Sequence, residues 1–541
     1  MKALNLYPIL FILLGMSNPK VSFCQEWVRT FSSTTKNVVI YEISEDYDQG
    51  YLLCANQGLS SLMKIGWVIK TDINGNVIWE KKLGIGQHQW AIIGIDRTYD
   101  GGIILAGVCD TLDTGWGDPF VVKLSACGDV QWCHVFHNGN DPDYGVKVKT
   151  LPDNSYIFLV KDWGSEDLNS TWLMHLDVNG EIIWEQKYFQ NDTLVVPYYD
   201  NELSLTTDGN YFVTGTCYRP LAGQVQPYWV WPMMILADST GEAVWETAWG
   251  HTLPFTEQVA GDGFQSIQTA NGFYTSISNY HSDASYTAPC LIKTTLSGEP
   301  VFYHDLIPNT TYGKASTITK ISDSVFFIGV GYEINSLSNL SVLKSDTLGN
   351  VLAEKILNHT DYIPKDAILT YDGKYLITSL DFVNNKYVFY LWKLNQNLGY
   401  DTIYNQPMVY DSLCPHPITT STLYFNCDLA VGIPEPVSEA AKVRMRVYPN
   451  PGNEIIHVDM PQCIQKQTET EHLSVTTIFH KWYKDLEFEV FDLFGRPVYR
   501  QVVKPSEKEV LVNVSGWSSG IYFIRLSYSG TTVATEKLVV Q

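Results

Sequence analysis

The 541-residue chain contains no Lys/Arg-rich run, no Cys-x-x-Cys pair and, beyond its first two dozen residues, no apolar stretch long enough to span a bilayer. Each absence removes a class of function. Nucleic-acid binding rests on clustered cations that neutralise phosphates. Here the formal net charge is −22, and no nucleic-acid partner is expected. Paired thiols of the kind that hold structural zinc are missing. No transmembrane segment is expected past the N-terminus. Charged residues make up only 17% of the chain while aromatics reach 13%. That balance suits an all-β extracellular protein, because aromatic side chains pack well on a pleated, half-buried surface.

Residues 1–24 read as a signal peptide. Lys2 supplies the positive start and Leu4 to Met16 the apolar run. Asn18 and Pro19 break that run, and Ser22 and Cys24 are the small residues of a cleavage site before Gln25. Lipidation of Cys24 is the alternative, but Phe23 stands where a small residue is needed. An exported chain meets an oxidising compartment, so its ten cysteines can form disulfides. Cys414 and Cys427 are the favoured pair, bracketing Pro415, Pro417 and a Ser/Thr run that lacks a strong fold signal. Cys127 with Cys133, flanking a turn, comes second, and the other cysteines are expected as buried thiols.

One phrase recurs along the chain: a carboxylate, two residues, Gly, three residues, Trp. It stands at Asp72, Gly75, Trp79; at Asp177, Gly180, Trp184; and at Asp238, Gly241, Trp245, with Ser125, Gly128, Trp132 as a close copy. Weaker copies are Gly298 with Phe302 and Gly349 with Ala353, and Gly399 with Ile403 is degenerate. The glycines are spaced by 53, 52, 61, 57, 51 and 50 residues. A second mark, a turn followed by an alternating apolar strand, precedes each copy at Gly50, Gly102, Asn154, Gly209, Gly272, Ser324 and Gly373. Two marks keeping step seven times define a repeat unit of short strands and tight turns. In the Asp-x-Asn-Gly stretch, Asn and Gly accept the positive φ of a tight turn. One such sheet has two apolar faces, and stacking seven around an axis buries both. The expected fold is therefore all-β, a seven-bladed β-propeller over residues 25–428. The Trp after each turn is expected between blades. Glu26 to Thr30 resembles the strand after the turn and is expected to close the ring within the last blade.

These copies resemble the quinoprotein-like and kelch-like propeller repeats of secreted proteins from Bacteroidetes-type bacteria, over residues 26–428. The quinoprotein phrase is approached once, at Asp238-Ser239-Thr240-Gly241, and one residue too short. No quinone or other cofactor is expected.

Residues 429–446, with Pro434, Glu435 and Pro436, read as a linker. Val447-Tyr448-Pro449-Asn450-Pro451 follows, then Glu489 to Val498, Gly520-Ile521-Tyr522-Phe523-Ile524 and Lys537 to Val540. This ordered set resembles the type A sorting domain of the type IX secretion system, over residues 447–541. Strand alternation, with Leu486, Phe488 and Val490 inward and Glu487 and Glu489 outward, gives a small immunoglobulin-like β-sandwich. The resemblance implies recognition by the type IX machinery, removal in the linker, and surface attachment or release of the mature part. Cys463 to Lys484 departs from the pattern and reads as an enlarged loop.

Candidate chemistry is thin. Gly516-Trp517-Ser518-Ser519-Gly520 matches a nucleophile-elbow pattern, but a strand rather than a helix follows it. His134 and His137 lie three apart on a strand and so face opposite sides. Asp72, Asn74 and Asn76 lack the distal Glu of a calcium loop. Tyr218, Tyr228, Trp229 and Trp231, in the long fourth repeat, are candidates for a binding surface, with loop packing as the alternative. No catalytic, cofactor-binding or metal-binding residue is assigned. The expected function is a surface-displayed binding or scaffold module for a glycan or surface protein. The alternative is a hydrolase or lyase whose carboxylates meet only in the folded channel.

Overall fold

The computed structural model describes residues 27–541 except 59–63, 84–89, 110–116, 138–142, 163–168, 190–195, 219–229, 250–259, 281–286, 360–363, 425–426, 432–445, 460–485, 493–495, 505–508 and 529–530. The expected signal peptide, residues 432–445 of the expected linker, Tyr228, Trp229 and the expected enlarged loop lie outside the described residues, whereas residues 429–431 and 446 fall in strands. The chain divides into two compact units, whose described parts are residues 27–431 and 446–541.

The first unit is a seven-bladed β-propeller. Blade 1 pairs Asn37–Glu45, Tyr51–Gly58, Lys64–Thr71 and Val77–Leu83 in an antiparallel meander. The same meander recurs in blades that begin at Trp90–Arg97, Tyr144–Thr150, Val196–Leu205, Ala260–Thr269, Tyr312–Ser322 and Pro364–Leu369. These first strands are innermost. Each contacts the next, and the last returns to the first, which closes the ring. Blade 7 takes its outer strand from the other end of the chain: Val28–Phe31 pairs antiparallel with Lys386–Leu394. A strand from each end of the array in one sheet makes the ring a closed circuit.

The turns explain the glycines. In blade 1 the Asp72 carboxylate accepts the N–H groups of Asn74 (2.9 Å) and Asn76 (2.8 Å) and the Asn76 amide (2.8 Å). Gly75 holds φ 76°, where a Cβ is penalised. The Asp177, Asp238 and Asp346 carboxylates do the same work. The tryptophans then wedge each blade onto the next. The Trp132 indole N–H donates to Val178 O (3.0 Å) and the Trp245 indole to Leu296 O (2.9 Å), each in the following blade's turn. A Cβ at Gly180, Gly241 or Gly298 would meet the ring of Trp132, Trp184 or Trp245 below 3 Å. Where the Trp is lost, His304 covers Gly349.

After Gly399 the seventh copy does not form an outer strand, because Val28–Phe31 already occupies that place. Residues 400–431 cross instead onto blades 1 and 2. Ser421–Leu423 adds a parallel strand to Val77–Leu83, and Asp428–Val431 adds one to Val130–His137. Two disulfides fix this strap, and they correct the expected pairing. Cys414 bonds to Cys127 and Cys427 to Cys133, so neither Cys414–Cys427 nor Cys127–Cys133 forms. The strap runs alongside blade 2, which brings both of its cysteines to that blade rather than to each other. Cys54, Cys109, Cys217 and Cys290 are buried thiols.

The second unit is a β-sandwich. A three-stranded sheet (Arg446–Tyr448, Ile455–Asp459, Glu509–Asn513) and a four-stranded sheet (Pro497–Val503, Leu486–Asp492, Gly520–Tyr528, Thr531–Val540) share a core of Ile456, Val458, Phe488, Val490, Val512, Ile524 and Leu538. Phe488 and Val490 point inward, as their alternation requires. Glu489, on the other face, is nonetheless buried, because Arg525 (2.7 Å) and Arg500 (3.4 Å) cover it.

Candidate functional site: the channel wall

All seven innermost strands carry a β-bulge at the same level. The register slips between Ile40 and Glu42, Ile92 and Gly94, Gly145 and Lys147, Asp200 and Glu202, Gly263 and Ser266, Ala315 and Thr317, and Pro364 and Asp366. A bulge bends the strand and re-aims one side chain. The skipped residues Tyr41, Ile93, Val146 and Phe264 are half-buried and Lys365 is exposed, between buried neighbours. On the innermost strands of a closed ring, the solvent they reach is that of the channel. Lys365 has no carboxylate within ion-pair distance among the described residues. Although solvent reaches the side chain, the wall crowded around it partly desolvates the ammonium, and with the nearby Lys314 charge this lowers its pKa from the usual lysine value.

The residues after the bulges carry the charge. Glu42 of blade 1 pairs with Lys147 (3.0 Å) and Lys149 (2.9 Å) of blade 3, and Lys147 also reaches Glu202 of blade 4 (3.4 Å). Burial opposes the charge of Glu42, but the two ammonium groups outweigh it and hold the carboxyl below its ordinary range. Glu202 and Asp366 are pushed up by burial, which the lysines only partly offset. These groups also stitch the seams between blades. Glu42 accepts the Ile95 N–H (2.8 Å), Asp96 the Thr150 N–H (2.9 Å) and Asp366 the Ile43 N–H (2.8 Å). Gln265 donates to Asp366 (3.1 Å) and accepts the Ile318 N–H (3.0 Å). An inner strand has an unpaired edge, and side-chain acceptors from the adjacent blade satisfy its buried N–H groups.

A second charged layer lies under the turns. The Lys70 ammonium sits among Asp46, Asp48 (2.7 Å) and Asp411 (3.9 Å). Three converging carboxylates would suit a cation, and Lys70 supplies it. The theme repeats as Lys123–Asp100 (3.0 Å) and Lys393–Asp372 (2.9 Å). The sequence signal for it is a Lys two residues before the first residue of the turn, at Lys70, Lys123, Lys293, Lys344 and Lys393.

The other residues singled out by sequence fall elsewhere. His134 contacts Asn179 O (2.9 Å) in the next blade's turn, a seam contact; the His137 side chain lies outside the described residues. Trp231 is buried in the core between blades rather than displayed, and Tyr218 is half-buried. Ser518 offers its carbonyl to the Tyr522 hydroxyl (2.8 Å) in the sandwich, ahead of a strand.

Residues 446–541 match the secretion system C-terminal sorting domain. No curated protein matches the chain. Among solved structures, the chain is similar to a protein of unknown function from Bacteroides caccae (11% identity, TM-score 0.31, 49% of this chain and 81% of that one). It is also similar to a subtype N11 neuraminidase-like protein of a flat-faced bat virus (13%, 0.35, 67% and 92%). A third is a chain of Drosophila Plexin A in complex with Semaphorin 1b (6%, 0.39, 67% and 85%). The assignment as a propeller rests on the seven sheets themselves. The class is thus an exported propeller protein. More particularly, it is a Bacteroidetes-type secreted chain whose C-terminal domain directs it through the type IX system to the outer surface or the medium.

Proposed function

We propose that the propeller is a surface-displayed binding or scaffold module for a glycan or surface protein. On this reading residues 25–428 form the mature domain, and residues 429–446 are the linker in which the sorting domain, residues 447–541, is removed. The observation that carries the reading is the fate of the channel's charged groups. Glu42, Lys147 and Asp366 are buried, Lys149 and Asp96 half-buried, and all five are bonded from one blade to another, so they hold the ring together. Of the bulge residues, Tyr41, Ile93, Val146 and Phe264 offer apolar contact, and the exposed Lys365 adds one cation. The test is a screen of the secreted protein against a glycan array and surface extracts. Retention by a defined set supports the reading, and uniform silence overturns it.

A second reading, a hydrolase or lyase, is favoured by one observation. Glu42, Glu202 and Asp366 converge in the channel wall, and burial raises two of them toward the range of a general acid. Product release from a polysaccharide or peptide panel, lost in Glu202→Gln, would establish it.

A further inference from the structure

Three adjacent blades place a tyrosine at the same turn position. It is Tyr371 in blade 7, Tyr47 in blade 1 and Tyr99 in blade 2, whereas blades 3 to 6 have Pro152, Thr207, Ala270 and Asp323 there. Tyr99 is 58% exposed and Tyr371 59%. Between them lies Arg97, the last residue of blade 2's innermost strand. Its guanidinium carbon is 6.0 Å from the Tyr99 ring centroid and 5.3 Å from that of Tyr371. Among the described residues no carboxylate lies within ion-pair distance of the Arg97 guanidinium, in a chain with 58 acidic side chains.

The backbone beneath is fixed before any ligand arrives. Thr98 N–H bonds to Gly102 O (2.9 Å), closing the turn that bears Tyr99. The Arg97 carbonyl accepts the Thr150 hydroxyl (2.9 Å). The Tyr371 N–H donates to the Glu45 carboxylate (2.6 Å), and its turn closes through Thr370 N–H to Lys374 O (2.9 Å). Exposed aromatic faces on a rigid frame suit a ligand with flat C–H surfaces, such as a pyranose ring. A guanidinium with free donors between them suits a carboxylate, which it grips in bidentate fashion.

We infer that Arg97, Tyr99 and Tyr371 form a binding site for an acidic saccharide, with the arginine on the uronate carboxylate and the tyrosines against the sugar rings. This rests on the binding reading above and names its ligand class. The test uses the whole secreted protein with an oligogalacturonate and the same oligosaccharide reduced at its carboxyl groups. Binding to the first, weakened about tenfold or more by carboxyl reduction and likewise by Arg97→Gln, is expected on loss of a hydrogen bond to a charged group. Tyr371→Ala should weaken both probes. Equal binding of the two, unchanged binding by Arg97→Gln, or no binding of either would overturn the inference. Retention of other ligands on the array would then leave the broader binding reading standing. Because the carboxyl-reduced probe tests the same point on the unaltered protein, a variant that fails to fold does not blunt the result.

Discussion

The ring of Trp27 lies against Gly75, so closely that a Cβ on the glycine would stand 2.9 Å from it. Trp27 precedes the strand that completes blade 7, and Gly75 is the turn of blade 1. The contact repeats across the closing seam what Trp132 does on Gly180 and Trp184 on Gly241. The degenerate seventh copy is therefore complete in space, with its tryptophan supplied by the N-terminal segment.

Trp27 is fully buried, so Trp27→Ala should cost about 3–5 kcal/mol, the range for truncating a buried aromatic. Gly75→Ala should also destabilise, through the positive φ and the clash together. Denaturant unfolding followed by fluorescence measures both, and a wild-type midpoint in either variant would contradict the closure.

Non-reducing peptide mapping should recover Cys127 with Cys414 and Cys133 with Cys427. Each bond spans nearly 300 residues (287 and 294). On the chain-entropy account a cross-link over a loop of 100 residues or more is worth about 4–5 kcal/mol. The two are not additive, since the first already brings the second pair close. Either single Cys→Ser variant should therefore lose much less than the double variant.

Lys147 stands between Glu42 (3.0 Å) and Glu202 (3.4 Å) in the buried wall. Lys147→Met takes the lysine from Glu202 and leaves Glu42 with Lys149 alone, a change that costs about 3–5 kcal/mol when a buried pair is broken. Equilibrium unfolding checks it, and a loss well under 1 kcal/mol would show that water reaches these acids.

Glu45 gives a pH signature. Burial, with Asp372 adding repulsion, lifts its carboxyl to about 7 against the Tyr371 N–H and the Lys393 and Arg97 charges. The Tyr51 and Tyr371 hydroxyls feel its charge in turn. A carboxyl that is raised on folding favours the folded state while protonated. Its contribution is full below the unfolded value near 4.5 and is lost as pH climbs through about 7. Stability measured from pH 4.5 to 8 should fall through that window, and Glu45→Gln should flatten the fall.

The blades were legible because each turn has a stereochemical requirement that only a few residues meet. Gly75 and Asp72 announce the turn, and Trp79 marks the strand after it. Ring closure was legible for the same reason, since Glu26 to Thr30 copies an outer strand without its turn. The disulfides were not, because the route of residues 400–431 depends on which outer strands are free, a property of the closed ring. Nor was the channel wall. A bulge leaves no mark in an apolar run such as Val39-Ile40-Tyr41-Glu42-Ile43, although the lone carboxylate within it does hint at a partner from another blade. The tyrosine arc was visible only once equivalent turn positions could be compared from blade to blade.

The central claim is that this exported propeller binds rather than converts its ligand. It is tested most directly by incubating the secreted protein with a panel of acidic and neutral polysaccharides and reading bound protein and released chain ends in the same wells. The account predicts retention on acidic polymers with no release. Release of new chain ends that disappears in Glu202→Gln would contradict it.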